Sequence, residues 1–319
     1  MKLAKLSLAA MVVAGLATSS FAADTLADAF AKGKVKGELR AWYFDRDFKN
    51  AMGAAAPSTG SADIFNTGLV LNYVTDQFFG FYMGATMQSS YAPFADADAK
   101  TLYRNDMYGS GAVLSEAYLG YKMKNTDVKV GRMYLATPLV AGSGSRMIKQ
   151  AFEGALVVNT DLPQTTLAAG AVTKYQQRTS NNANFSGDPA VSMGDIAEFK
   201  ALTANHDYAY TLLAINKSIP GLTVTGQWAQ VENVLNNYFV EANYAGKVGE
   251  FTYGLTGNYL YSDLDVATAT GDSATMYGAK IDFGFGAFKS FVAYSVITDD
   301  NTLTPGVGGG AQPALARGY

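Results

Sequence analysis

Apolar and polar side chains alternate along most of this chain, in segments of about ten residues separated by Gly, Asn, Asp, Ser and Pro. The clearest segment is 79–88, where Phe79, Phe81, Met83, Ala85 and Met87 oppose Gly80, Tyr82, Gly84, Thr86 and Gln88. A period of two places these sets on opposite faces of a β-strand. At 35–48, Leu39, Ala41 and Tyr43 oppose Glu38, Arg40 and Trp42. At 63–74, Phe65, Leu69, Leu71 and Tyr73 oppose Asn66, Gly68 and Asn72. At 112–123, Ala117, Leu119 and Tyr121 oppose Glu116, Tyr118, Gly120 and Lys122. Further strands are predicted at 127–135, 151–159, 165–175, 208–217, 222–232, 236–245, 251–262, 274–283 and 288–298, about thirteen in all. Helical periodicity is poor throughout.

The connections sort by length. After even-numbered segments they are tight, as at 75–77, 125–127, 160–164, 218–221, 246–250 and 284–287. After odd-numbered segments they are mostly long, as at 50–61, 89–111, 176–207 and 263–273, with the link near Asn233 as the exception. Bacterial outer-membrane barrels have short periplasmic turns and long extracellular loops. A soluble barrel has no reason to sort its loops in this way. The fold class expected is therefore all-β, a transmembrane antiparallel β-barrel. By this count the first and last strands run the same way and cannot close antiparallel. Residues 299–319, rich in Gly and Pro, fall by parity on the extracellular side. The expectation is a barrel incomplete at its C-terminal end, with an open or strained seam.

Composition supports export and membrane residence. Lys2 and Lys5 precede an apolar run at 6–16, and Ser20-Phe21-Ala22 forms a small-x-small site. Residues 1–22 read as a cleaved signal peptide, leaving 23–319 as the barrel. No stretch reaches the roughly 20 apolar residues of a membrane helix. Charged residues make up 16% of the chain, against about 25% in soluble domains. There is no cysteine, which excludes a disulfide scaffold and thiolate metal sites. A net charge of −3 gives no basic footprint for nucleic acid.

The face opposite the apolar one carries scattered charge of both signs: Glu38, Arg40, Glu116, Lys122, Lys129, Glu153, Lys174, Glu241, Lys280 and Asp282. These are predicted to line a water-filled lumen, since a packed barrel would fill its interior with apolar groups. Arg132 breaks the alternation, sharing parity with Val128 and Val130. Either Gly131 seats a bulge that turns Arg132 inward, which is the favoured reading, or Arg132 lies at the outer interface. The stretch GRMYLATPLVAGSGSRMIKQAFEG, residues 131–154, joins two strands through a long glycine-rich connection. It holds Arg146 and Lys149 beside Leu139, Val140, Met147 and Ile148, which a solvated surface loop would not need. Two readings follow: a loop folded into the lumen that narrows a pore, or an ordinary loop with a buried apolar foot.

Other chemistry is thin. His206, beside Asp207, is the one histidine, and no nucleophile is placed with it by spacing. Asp96/Asp98 and Asp299/Asp300 could offer oxygen ligands to a hard cation but match no loop motif. No cofactor is expected. The reading is a passive diffusion channel whose partners are outer-membrane lipid, ions and small hydrophilic solutes. The alternatives are a barrel-embedded hydrolase and an adhesin presented by the long loops.

The run LSEAYLGYKMKNTDVKVGRMYLATPLVAGSGSRMIKQAFEGALVVNTDLPQTTLAAGAVTKYQQR, residues 114–178, resembles the OprD-like outer-membrane porins, nearest to the major porins of epsilon-class proteobacteria. The start, LADAFAKGKVKGELRAWYFDRDF at 26–48, is similar as well. The resemblance implies a porin of about eighteen strands, often a homotrimer, that admits small hydrophilic solutes. It also implies that residues 134–150 form the third loop, folded into the channel, with Arg132, Arg146 and Lys149 as constriction candidates.

Overall fold

The structure, a computed structural model, describes residues 23–48, 60–179, 199–202, 208–264, 273–298 and 303–311. Its elements in order are α1 (Leu26–Ala31), β1 (Lys34–Phe48), β2 (Gly60–Val74), β3 (Phe81–Ser90), α2 (Ala97–Leu102), β4 (Gly111–Met123), β5 (Thr126–Met133), β6 (Ala151–Asn159), β7 (Thr165–Gln176), β8 (Phe199–Ala201), β9 (Ala209–Asn216), β10 (Leu222–Val231), β11 (Leu235–Val248), β12 (Phe251–Leu264), β13 (Ser273–Phe285) and β14 (Phe288–Thr298). Among the described residues no helix is long and apolar enough to cross a membrane.

All fourteen strands belong to one sheet in the order β1 to β7, then β9 to β14, with β8 beside the end of β7. Every strand-to-strand ladder within it is antiparallel. The expected segments correspond to the long strands. The additional strand is β8, which is three residues long and lies where the sequence predicts only a loop. Three residues are too few for alternation to declare itself. Among the described residues β1 pairs only with β2 and β14 only with β13, so the sheet is open between them.

The two short helices follow local capping. Thr25 accepts a hydrogen bond from the Asp28 amide at the start of α1, and Asp96 accepts one from the Ala99 amide at the start of α2. Asp96, a candidate cation ligand by sequence, is thus a helix cap. α2 lies within a connection expected to be plain loop.

Two strands carry an extra residue. Pairing of β3 with β4 skips Ser115, and pairing of β6 with β7 skips Thr173. The bulge expected at Gly131 is absent. Register runs unbroken from Val130 through Gly131 to Arg132 against both neighbours, although Gly131 takes φ +126°. A Cβ there would lie 2.3 Å from the Ala117 carbonyl oxygen, so glycine answers a close backbone approach and not a register change.

The sheet has two unlike faces. One presents Leu39, Met83, Leu119, Val130, Leu212, Val240, Leu255 and Ile281, all exposed. The other carries buried Gln88, Ser115, Gln227 and Asn237 and is covered by two apolar clusters that include residues of its own loops. Exposed apolar side chains alternating with covered polar ones fit lipid contact on the first face. Met83 on that face is 50% exposed. In a bilayer, Met83→Arg should cost roughly 2–4 kcal/mol near the midplane, whereas Met83→Ala should change little. Denaturant unfolding from lipid vesicles measures both, and equal effects would remove lipid from this face.

Candidate functional site

Residues 134–150 leave β5 and return into β6, and their apolar side chains are anchored at two places. Leu139 and Val140 are buried with Met133, Phe152, Tyr175, Phe239, Leu260 and Met276. Met147 is buried in the second cluster with Ile64, Leu102, Tyr103 and Met107. Burying a loop requires partners for its backbone. Here long polar side chains of the sheet supply them. The Leu139 amide donates to Gln227 Oε1 on β10 at 2.9 Å. The Gln227 amide nitrogen donates in turn to Thr137 Oγ1 and Thr211 Oγ1. Gln88 on β3 holds both backbone groups of Lys149: the Lys149 amide donates to Oε1, and Nε2 donates to the Lys149 carbonyl, each at 2.9 Å. Arg40 on β1 donates through Nη1 to the Met147 carbonyl at 2.8 Å. The loop is therefore bound to β1, β3 and β10 across the covered face of the sheet.

A second segment lies on top of it. The Val307 amide donates to the Leu139 carbonyl at 2.8 Å, and the Ala141 amide donates to the Val307 carbonyl at 3.1 Å. Gly309 donates its amide to the Tyr175 hydroxyl. Asn237 and Ser262 both donate to the Thr304 carbonyl. Sequence parity puts this stretch in an extracellular loop. Residues 303–311 pack back onto the sheet and the 134–150 loop at that same end, where Gly306 and Gly308 let two backbones meet. Gly306 takes φ +142°, and a Cβ on it would sit 2.2 Å from the Leu139 carbonyl oxygen.

The two basic residues of the loop have different surroundings. Arg146 Nε lies 3.1 Å from Asp106 Oδ2, which Arg46 Nη2 also reaches at 2.7 Å. Its charge is thus shared with an acid that sequence reading passed over. Among the described residues Lys149 makes no such pair. Its ammonium stands 4.0 Å from the centre of the Tyr134 ring. Burial pushes the Lys149 ammonium below the usual lysine range, with Glu116 opposing that shift and Arg40 adding to it. Glu116 accepts from the Tyr134 amide and the Thr86 hydroxyl. Arg40 pairs with Glu38 at 2.8 Å. Arg178, just beyond β7, donates to Ser145 Oγ.

Of the other charged residues expected on this face, Lys129 stands over the Tyr118 ring, and Lys280 pairs with Asp282 at 2.8 Å. Lys122 faces Asp127 across the ladder, and Glu241 shares parity with buried Phe239 and Asn237. Glu153 and Lys174 do not belong with them. Phe152 and Tyr175, their immediate neighbours, are buried in the loop-covered cluster, so Glu153 and Lys174 point to the opposite face. The expectation that charge marks the lumen side fails at Glu153 because its neighbour Phe152 is buried under the loop, and the extra residue Thr173 turns Lys174 the same way. Arg132 keeps the parity of Val130 and joins them, with Nε 3.1 Å from Glu153 Oε2. It belongs to the exposed face of Val130 and not to the loop-covered face.

His206, Asp207, Asp299 and Asp300 lie outside the described residues. Ser218 donates its hydroxyl to Asn216 within a turn. Among the described residues no group of three His, Asp or Glu side chains could hold a metal ion. The residues that sequence reasoning missed are Gln88, Gln227, Asp106 and Arg46. The available signal was a long carboxamide on the non-lipid side of a strand at Gln88 and Gln227.

The family described as outer membrane porin, OprD family, matches residues 28–317. No curated protein matches the chain. Among solved structures, the chain is similar to Pseudomonas aeruginosa OpdO, with TM-score 0.70 and 17% identity over 92% of this chain and 71% of that one. It is similar to P. aeruginosa OccD3 (OpdP), with TM-score 0.63 and 17% identity over 83% of this chain and 57% of the other. It is also similar to P. aeruginosa OpdK, solved with vanillate, with TM-score 0.65 and 16% identity over 84% of this chain and 67% of that one. The chain thus spans little more than half the length of OccD3.

The close approach at Gly306 can be tested directly. Gly306→Val should push residues 303–311 off the loop and speed proteolysis within 134–150 severalfold, while the folded mobility of the barrel on a gel is kept. Unchanged cleavage would show that the segment does not hold the loop.

Proposed function

The chain belongs to the OprD family of outer-membrane porins, and from that premise we propose that it is a passive diffusion channel for ions and small hydrophilic solutes. It sits in the Gram-negative outer membrane, exported behind a signal peptide formed by residues 1–22. The loop 134–150 narrows the channel. The observation that carries this reading is the bonding of the loop to β1, β3 and β10 through Arg40, Gln88 and Gln227. A loop tied across one face of a sheet obstructs whatever passes along that face.

The narrow part would favour anions. Among the described residues Lys149 has no carboxylate partner within salt-bridge distance, whereas Arg146 shares Asp106 with Arg46. A basic group in a low-dielectric passage attracts anions and repels cations. OpdK was solved with vanillate, a carboxylate, and small organic carboxylates are the solute class we propose here. No chemical step is needed. Among the described residues nothing favours the hydrolase alternative: Ser218 is engaged in a turn, and the family is one of porins. The homotrimer implied by the resemblance is kept as a proposal. Particle mass in mild detergent reads it: three chains keep it and one removes it.

Planar-bilayer conductance with reversal potentials in a salt gradient tests the channel reading. The wild type should conduct with anion preference, and Lys149→Gln should shift the reversal potential towards cations. Arg146→Gln should shift it in the same direction, since Asp106 is shared between Arg146 and Arg46 and cancels only one of their two charges. Lysine is charged below its pKa and neutral above it. With Lys149 held below the ordinary value of about 10.4, anion preference should fall as pH rises through the range below that value. Lys149→Gln should abolish this step. A reversal potential indifferent to both the substitution and pH would place Lys149 outside the conducting path.

A further inference from the structure

The outer face of the sheet is apolar through its middle and charged at its loop-side rim, where Asp45, Asp47 and Asp63 share the parity of Leu39 and Phe65 on β1 and β2. Near the loop ends of β5, β6 and β7, Arg132, Glu153 and Lys174 stand in one cross-strand row. Glu153 bridges the two cations, with Arg132 Nε at 3.1 Å and Lys174 Nζ at 2.7 Å. The three side chains are 37%, 24% and 46% exposed, in the order Arg132, Glu153, Lys174. The Arg132 guanidinium carbon lies 4.4 Å from the ring centre of Phe199 on β8. Two cations and one anion leave a net positive charge of one unit, in contrast to the acidic rim at β1 and β2.

The next outward pair below Glu153 and Lys174 is Ala155 and Ala171. These alanines begin a groove of about 430 Å³, floored by Ala155, Ala169 and Ala171 and walled by Tyr210, Leu212 and Trp228. The groove therefore starts directly beneath the charged row and runs towards the bilayer interior. Its small-residue floor leaves room for a chain, and its walls are apolar or aromatic.

We infer that this surface binds one phosphorylated glycolipid of the outer leaflet, with a phosphate against Arg132 and Lys174 and an acyl chain in the alanine-floored groove. The inference rests on the outer-membrane placement above. The side chosen follows from the long loops, which mark the extracellular end in such barrels. A second protein copy is the other possible occupant. A phosphate complements the uncompensated positive charge, and a guanidinium offers it a planar fork of donors. Glu153 orients both cations and keeps the row from repelling itself.

Native mass spectrometry of the protein purified from outer membranes tests this, with bis-phosphorylated and dephosphorylated lipid A as probes. The wild type should bind one phosphorylated molecule per chain and bind the dephosphorylated form roughly 10- to 30-fold more weakly, as two membrane-surface cations allow. Removing the cations alone would strand Glu153, so the charge test is the triple variant Arg132→Gln, Glu153→Gln, Lys174→Gln. It should show the same loss. Ala169→Leu, which fills the groove without altering charge, should weaken binding of both probes. Folded gel mobility and single-channel conductance should be unchanged in both variants, which separates this site from the channel. Binding unaffected by either variant overturns the lipid site even if the protein conducts. So does disulfide-linked dimer formation by Ala169→Cys in this cysteine-free chain, which would show that a second copy covers the face. Absence of conductance in the wild type would count against the channel reading alone.

Discussion

A backbone amide or carbonyl that leaves water must find another partner, and in hydrocarbon no exception is tolerated. The antiparallel ladders of the sheet meet that demand for the strands. The loop at 134–150 has no ladder of its own, yet Leu139, Val140 and Met147 bury it. Its backbone is served by Gln88, Gln227 and Arg40, and by the edge of the 303–311 segment. The site follows from these bonds. Gln88 takes both backbone groups of Lys149, so the position of that ammonium is set by a carboxamide on β3 and not by the flexible loop around it.

The same packing separates two residues that look alike in sequence. Arg146 and Lys149 are three positions apart in one basic stretch. Arg146 points to the cluster around Tyr103 and Met107, where Asp106 meets it. Lys149 turns to Tyr134, where an aromatic face replaces a carboxylate. A ring attracts a cation more weakly than a carboxylate neutralises one. Asp106 is shared by Arg46 and Arg146 and cancels only one of their two charges, so Arg146 is screened in part while Lys149 stands against a ring.

Most of the sheet was legible because alternation and loop lengths repeat strand after strand. What failed did so for identifiable reasons. Alternation assigns faces only if the apolar face meets lipid everywhere. At Phe152 and Tyr175 it fails, because the loop builds an apolar core on the other side. One extra residue, Thr173, then reverses everything beyond it. β8 is too short to show a period, and α2 depends on a single cap at Asp96. The glycine run near Gly306 reads as flexible linker by composition. Its meaning emerges only when the Leu139 carbonyl is found against it. Asp106 had no signal at all, since nothing local distinguishes it from other loop acids.

The unbroken register at Gly131 changes how the charges of this chain divide between its faces. Were the strand bulged there, Arg132 would add to the basic side of the covered face. Instead Arg132, Glu153 and Lys174 share the outward parity of Val130 and Val157. Arginine near the bilayer midplane of a barrel costs roughly 2–4 kcal/mol, and far less at the interface. The row sits close to the strand ends that lead into the long connections, where that cost falls. Glu153 lowers it further by pairing with both cations. A carboxylate between two cations on a lipid face is hard to account for by packing, since alanine would fit the row at no electrostatic cost. Its presence is accounted for if the row must stay charged, keeping two cations in place for an anion at the membrane surface.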